Sequence, residues 1–341
     1  VRWASESNIM YNQNAGYGQS LINFARTICP TFGNILVVMN SANSDEANYQ
    51  KVQEVFKPDP QGLVRFYTSL EAAYDAAESN NNDVILLDAN SSHVLATQLT
   101  ISKNRIHFVG MDGGGRLHGQ GAKVQNTAGT AAVSVIHVTG TRNTFRNIKF
   151  IQVDDEATSL RVLTEAGESS YYKNCSFIFG DVDNLDQTNA YEVLASGDST
   201  EWHECTFGAD TLVTSAARAV VCFDVVSVAA KSNVFKDCIW NICSSSADAD
   251  FIRIIATSDL HFGHLVINPV FLATISNASG GITLTTAIES VSGLNAGNML
   301  VINPASNTTD LCTVADNIKV VGDDMNSGAG TATVGVGITP A

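Results

Sequence analysis

Charge is scarce in this sequence. Of 341 residues only 16% are Asp, Glu, Lys or Arg, where about a quarter is usual. Positive charge is scarcer still: 19 Lys and Arg stand against 34 Asp and Glu, a formal net charge of −15. Nucleic acids and anionic membrane surfaces are themselves negative, so direct binding to either is not expected. Nor is there an apolar run of roughly 18 residues, so no transmembrane helix is expected. The first residues, "VRWASESNIMYNQNAGYGQ", contain no apolar core of a signal peptide and no initiator methionine. The seven cysteines are odd in number and form no CxxC pair, which argues against a disulfide scaffold. They read as reduced thiols, made in a reducing cytosol and buried as small apolar groups.

Apolar residues are plentiful at 45%, and 26 glycines accompany only 6 prolines. Asn, Ser, Thr and Gly carry the polar duty, a balance suited to a β-rich chain with many tight turns. Helical signals are confined to the first part. "GQSLINFARTIC" has helical apolar spacing, "NILVVM" reads as a buried strand, and "SDEANYQKVQEVFKPDP" as a helix capped by Ser44 and stopped before Pro58. In "LVRFYTSLEAAYDAAESNNND" a strand leads into a second helix, with Thr68 and Glu71 in a capping-box pattern. After residue 83 short strands alternate with Gly, Asn, Asp and Ser. The end, "GAGTATVGVGITPA", is rich in small residues.

A repeat organises the middle of the chain. "FRNIKF" from 145, "YKNCSF" from 172, "WHECTF" from 202, "FKDCIW" from 235 and "FGHLVI" from 262 follow one another at offsets of 27, 30, 33 and 27 residues. Each opens on an aromatic. The fourth place holds Ile148, Cys175, Cys205, Cys238 or Leu265, and the sixth Phe150, Phe177, Phe207, Trp240 or Ile267. A second β run ("SVIHV", "LRVLT", "YEVLA", "CFDVV", "FIRII") precedes each copy. Period-2 alternation places the fourth and sixth residues on one face, and stacked copies then build a continuous apolar column.

This column decides the reading of "EWHECTF", residues 201 to 207, which has the composition of an active site. Cys205 occupies a place that Ile148 and Leu265 also fill, so it reads as packing and not as a nucleophile. His203 and Glu204 fall where other copies carry Lys173, Asn174, Lys236 and Asp237, at positions open to polar types.

With these hexamers the chain resembles the right-handed parallel β-helix proteins of the pectin-lyase-like group, over roughly residues 66 to 270. "SLEAAYDAAESNNNDVILLDANSSHVLATQLTISKNRIHFVGMDGGG" looks like the capping helix and first turns of that group. The resemblance implies an all-β parallel β-helix solenoid, with a small α/β N-terminal cap and docking region over 1–65. The solenoid itself runs over 66–270, and a β-rich C-terminal region with a small-residue tail over 271–341. Such solenoids occur in polysaccharide lyases and hydrolases, in adhesins, and in bacteriophage tailspikes and head decorations, so the fold leaves activity open.

Catalytic signals are weak. Polygalacturonases of the group carry N-x-D, D-D, G-H-G and R-x-K motifs. The nearest echoes here are "VDDEA", with Asp154 and Asp155, and "FGHLV", which lacks the second glycine and has no R-x-K partner. Asp154, Asp155, Glu156, Asp181, Asp183 and Asp186 are acids of the type a glycosidase pair needs, but they sit in long connections. "GDVDNLDQTN" offers oxygen ligands from Asp181, Asp183 and Asp186 without the glycine and terminal Glu of an EF-hand loop. "GMDGGGRLHGQG" reads as a turn between coils, not a phosphate cradle. His261 and His264, three apart on a strand, point to opposite faces and not to one zinc.

The expectation is therefore a non-enzymatic bacteriophage virion protein, a capsid decoration, head fibre or spike on the particle's exterior. It carries no catalytic residues, cofactor or metal. Its expected partners are copies of itself, most simply in a trimer, and other capsid or virion proteins, through residues from about 280 to 341 and those before Ile35. The alternatives are a tailspike-like depolymerase acting on host surface polysaccharide, and a bacterial adhesin.

Overall fold

The computed structural model describes residues 33 to 322, apart from 45–46, 59–61, 63, 91, 113–117, 225–229, 256–262, 275–281, 291–298 and 313–317. Three long sheets form the walls of one solenoid, with 11, 9 and 8 strands. The first sheet runs from Phe66–Tyr67 and Ile35–Val38 to Ile318–Val321. The second runs from Ser92–Leu95 to Ala305–Ser306, and the third from Leu99–Ile101 to Asp310–Cys312. The chain visits first, second and third sheet in turn. Each coil therefore lays one strand on each wall, parallel to the strand of the coil before. This is a right-handed parallel β-helix.

The repeated hexamer is the corner between first and second sheets. Phe145 faces inward from a strand of the first sheet, Asn147 turns the chain, and Ile148 and Phe150 face inward again at the second. The turning residue is left-handed in six successive coils: Asn147, Asn174, Glu204, Asp237, Asn268 and Asn303 have φ between 49° and 56°. Asn and Asp tolerate that region better than other side chains with a Cβ. The asparagines also bond along the stack, Asn174 Nδ2 donating to Asn147 Oδ1 at 3.0 Å and Asn268 Nδ2 to Asp237 Oδ1 at 2.9 Å.

Inside, the repeat becomes two aromatic ladders. Phe108, Phe145, Tyr172, Trp202 and Phe235 stack with centroids 4.9, 4.7, 4.0 and 5.6 Å apart. Phe150, Phe177, Phe207, Trp240 and Phe271 follow at 5.3, 5.4, 5.2 and 5.0 Å. Each such ring contributes roughly 1.5–3 kcal/mol by burial, and its stacking adds to that. Cys175, Cys205 and Cys238 are fully buried beside Ile148.

The fifth copy is displaced from its expected register. Phe235 lies opposite Val266, 31 residues on, and Val234 opposite Leu265. Leu265 is therefore on the outer face, and Phe271 rather than Ile267 continues the second ladder. The motif "FGHLVI" therefore has the right composition four residues out of phase.

The helix Leu70–Ala76 closes the first end of the coil with Leu70, Ala73 and Tyr74, the last stacking on Phe108. Its cap is Ser69, whose Oγ accepts from Ala72 N at 3.2 Å, and not Thr68. Glu71 instead reaches across to accept from Ala96 N. The four residues Ile35–Val38 are buried on both faces. Leu36 and Val38 join the main core, while Ile35 and Val37 pack outward with Tyr49 and Val52 of the helix Ala47–Val55. The same sheets thus extend from Ile35 to Val321, beyond both residue 66 and residue 270. The segments before 33 and after 322, in which much of the expected subunit contact falls, lie outside the described residues.

Candidate functional site

The acids and histidines singled out in the sequence do not converge. His203 is partly buried on the outer face of the first sheet, 2.9 Å from Glu201 and with its ring tilted against Tyr171 at 5.1 Å. Glu204 is the left-handed corner residue and pairs with Lys173 at 3.7 Å. Burial pushes the Cys205 thiol well up, which makes it a poor nucleophile. Asp154 is buried in a turn, accepting from Gly129 N at 2.8 Å and from the hydroxyls of Thr130 and Ser159, each at 2.7 Å. These bonds outweigh its burial and hold the carboxyl at about 2. Asp155 and Glu156 are exposed. Asp186 accepts from Thr214 Oγ1 at 2.9 Å, Ser215 Oγ at 2.8 Å and Ala216 N at 2.7 Å, and Asp181 accepts from Asp183 N at 2.9 Å. Both are spent on shaping their loops. His261 lies outside the described residues. His264 is buried inside the coil, where Nδ1 accepts from Asn233 N and Nε2 donates to Ala230 O. Burial lowers its pKa to about 4, so it is a neutral structural imidazole.

Further polar groups inside the coil had no signal in the sequence. Glu192 stands where Val162 and Val220 stand in neighbouring coils. It receives two parallel bonds from Arg218, Nη2 to Oε1 at 2.7 Å and Nη1 to Oε2 at 2.9 Å. Both residues are about 1% exposed. Glu165 is also buried, bonded to the Tyr172 hydroxyl and to Gly167 N at 2.8 Å. Burial raises its pKa to about 7 against these bonds.

The outer face of the third sheet offers a different arrangement. Two columns of side chains point away from the core. One runs Ser134, Arg161 and Tyr191, with Ala219 and Asp250 further along the same wall; the other runs His137, Thr164, Leu194, Cys222, Arg253 and Glu289. Tyr191, Leu194, Ala219 and Cys222 are buried as a small cluster of their own, separate from the core. Beside it, on the two strands Asp250–Ile254 and Thr286–Ser290, two acids and an arginine meet. Arg253 Nη2 donates to Asp250 Oδ2 at 2.6 Å, its Nε bonds Glu289, and Thr286 Oγ1 donates to Asp250 Oδ1 at 2.8 Å. Arg253 is fixed in turn by the carbonyls of Ala217 at 2.9 Å and Asp248 at 3.0 Å.

Asp250 and Glu289 both bond the one guanidinium of Arg253, which brings the two acids together. Burial and the neighbouring Glu289 carboxyl raise Asp250 to about 7, in spite of Arg253 and Thr286. Glu289 is the open member, with 44% of its side chain exposed. The result is a buried carboxyl that keeps its proton to about pH 7, with an open carboxyl and a fixed cation beside it.

No protein-family model matches the chain, and no curated protein matches it by sequence. Solved structures do. A pectin methylesterase in complex with a hexasaccharide superposes with a TM-score of 0.54 at 13% identity, over 89% of this chain and 93% of that one. The pectin methylesterase PemA from Erwinia chrysanthemi gives 0.56 at 14%, over 89% and 92%. That from Aspergillus niger gives 0.53 at 13%, over 88% of each chain. At such identities the likeness establishes the fold. It also corrects the expectation of a non-enzymatic chain, because the solved structures that share the fold over nearly their whole length are polysaccharide-active enzymes. The acid pair has no linear motif because its members come from separate coils and adjoin only across the sheet.

Proposed function

We propose that the chain is a hydrolase of ester groups on a polysaccharide, with Asp250 as general acid, Glu289 as general base and Arg253 as the electrostatic support. The observation that carries this reading is the meeting of Asp250 and Glu289 on the one guanidinium of Arg253. Glycosidases hold their two carboxyls roughly 5–5.5 Å apart when retaining and roughly 6.5–9.5 Å when inverting, so that a sugar or water fits between. Two carboxyls that share one guanidinium, with no gap shown for a sugar ring, suit attack on a planar carbonyl, as in the paired acids of proteases.

In the proposed reaction Glu289 takes a proton from water as the water oxygen bonds to the ester carbonyl carbon. Arg253 offsets the negative charge that grows on the carbonyl oxygen. Asp250 gives its proton to the departing alcohol as the acyl C–O bond breaks. The proton on Glu289 then passes to Asp250, and the pair is restored. An ester unit is uncharged, which suits a chain of net charge −15. The solved structures of like fold support the substrate class, since they are named for pectin methylesterases. Within this proposal the partner is a host's surface polysaccharide. A tailspike-like homo-oligomer on a phage particle is the setting that the sequence resemblance implies.

The test is to incubate the chain with methyl- and acetyl-esterified polysaccharides and measure released methanol or acetate together with new chain ends. Release of the small alcohol or acid without new ends is expected. New reducing ends or unsaturated sugars would instead assign chain cleavage, and no product from any ester would remove the reading.

A further inference from the structure

Between the helix Ala47–Val55 and the strand Phe66–Tyr67, at the first end of the solenoid, lies an open groove. It holds about 360 Å³ and is lined on its apolar side by Phe56, Pro58, Val64 and Phe66. Two glutamines of the helix form the other wall, and the charges at the rim, Glu54 and Lys57, pair with each other at 3.6 Å. Val64 is 43% exposed. Phe66–Tyr67 is also the last strand of the first sheet, with Ile35–Val38 on one side and no described strand on the other. An apolar groove beside an open sheet edge invites pairing with another chain, and proteins cover such edges with a helix or loop of their own.

The linker between helix and strand stands clear of the fold at its described residue Gly62, where an added side chain would meet nothing within 4 Å. A better cover is the chain that enters the fold beside the groove. Asn34 is fixed there, its N–H donating to Asp83 Oδ1 at 2.7 Å. Val37 lies opposite Phe66, which sets Val64 beside Ile35. The residues ahead of Gly33 lie outside the described chain, and their sequence carries Leu21, Phe24, Ala25 and Ile28 at helical spacing. The link from Ile28 to Gly33 reaches about 17 Å when extended. Val64 is one strand spacing, about 4.8 Å, from the entering strand, whereas the other end of the eleven-stranded sheet is about 48 Å from Phe66. Anchors spaced i, i+3, i+4 and i+7 are the pattern by which a helix fills an apolar groove.

We propose that residues 21–28 dock as a short helix in this groove, with their apolar stripe against Val64 and Phe66, and cover the free edge of Phe66–Tyr67. This goes beyond the ester-hydrolase reading and does not rest on it. The docked segment shields the first end of the solenoid from outside, as the helix Leu70–Ala76 closes it within, and keeps one solenoid from pairing edge to edge with another. Contact of this stretch with a neighbouring copy, the expectation drawn from the sequence, is the rival arrangement.

The test is cleavage of the full chain by trypsin, followed by mass spectrometry. Arg26 is the only Lys or Arg between Arg2 and Lys51, so cutting after it reports on this segment alone. A synthetic peptide of residues 17–32 is the undocked reference. In the folded chain the Arg26–Thr27 bond should be cut about tenfold or more slowly than in the peptide, since cutting waits on undocking. That protection should be the same at low and high protein concentration. Phe24→Asp and Val64→Asp, each with the wild-type circular dichroism spectrum, should bring the rate back to about that of the peptide. The proposal is overturned if the wild type is cut at the peptide's rate, or if either folded variant stays as protected as the wild type. Protection that grows with concentration would also overturn it, and would assign the groove to the segment of a second copy.

Discussion

Tyr172 and Trp202 lie face to face on neighbouring coils, their ring centroids 4.0 Å apart and their planes 6° from parallel. Trp202 also meets Phe235 at 5.6 Å and is fully buried, so it is held between two rings of the first ladder. Trp202→Ala should cost about 3–5 kcal/mol, the usual range for removing a large buried ring. Urea unfolding followed by far-UV circular dichroism measures it. A loss below about 1 kcal/mol would mean that the ladder is not a main support of the coil.

The thiols of Cys175, Cys205 and Cys238 should be inert while the chain is folded. Each is wholly buried, and Cys175 and Cys238 point at the carbonyls of Phe145 and Trp202. Labelling with a thiol reagent should leave all three unmodified until denaturant is added. Cys205→Ser should destabilise by about 1–3 kcal/mol, because it places a stronger polar group at an apolar site. Fast labelling of all three in the native chain would contradict this packing.

The buried pair Glu192 and Arg218 should show strong coupling. Replacing Arg218 with Met strands a carboxylate in the core and should cost about 3–5 kcal/mol. Changing Glu192 to Leu as well should restore much of that loss, since apolar residues fill the same place in adjacent coils. Additive losses in the double variant would show that the two side chains act separately.

Glu165 gives the stability a pH dependence of definite sign. In the unfolded chain this acid ionises near 4.5, whereas in the fold it keeps its proton to about 7. Below pH 4.5 both states are protonated and the group contributes no slope. Between the two values only the unfolded state loses the proton, so stability falls as pH rises, by on the order of 3 kcal/mol in all. Above about 7 the fall levels off. Glu165→Gln should remove this component, read as the difference between the two unfolding curves at pH 4.5 and 7.5. Parallel curves would mean that the carboxyl is ionised inside the fold.

The solenoid was legible in the sequence because it is written in identical places. The hexamers from 145, 172, 202 and 235 repeat one corner, and the structure stacks them as they align. The copy at 262 was misplaced because its aromatic, Phe262, imitates the pattern four residues early, while the strand that pairs offers Val266 instead. The helix cap moved from Thr68 to Ser69 because either hydroxyl satisfies the same local rule. The acid pair was not legible. Asp250 begins one strand and Glu289 nears the end of another, and what joins them is the pairing of Arg253 with Glu289 across the sheet. Linear motifs drew attention instead to Asp154 and Asp186, which are bound up in their turns.

The most direct test of the account is the pH dependence of ester release by the wild type, Asp250→Asn and Glu289→Gln on the same esterified polysaccharide. The account predicts that kcat/KM falls above about pH 7, where Asp250 loses the proton it must donate. Each variant should lose about a hundredfold or more, the usual share of one general acid or base, while keeping the wild-type circular dichroism spectrum. Wild-type rates in both folded variants, or a rate that rises steadily through pH 9, would contradict it.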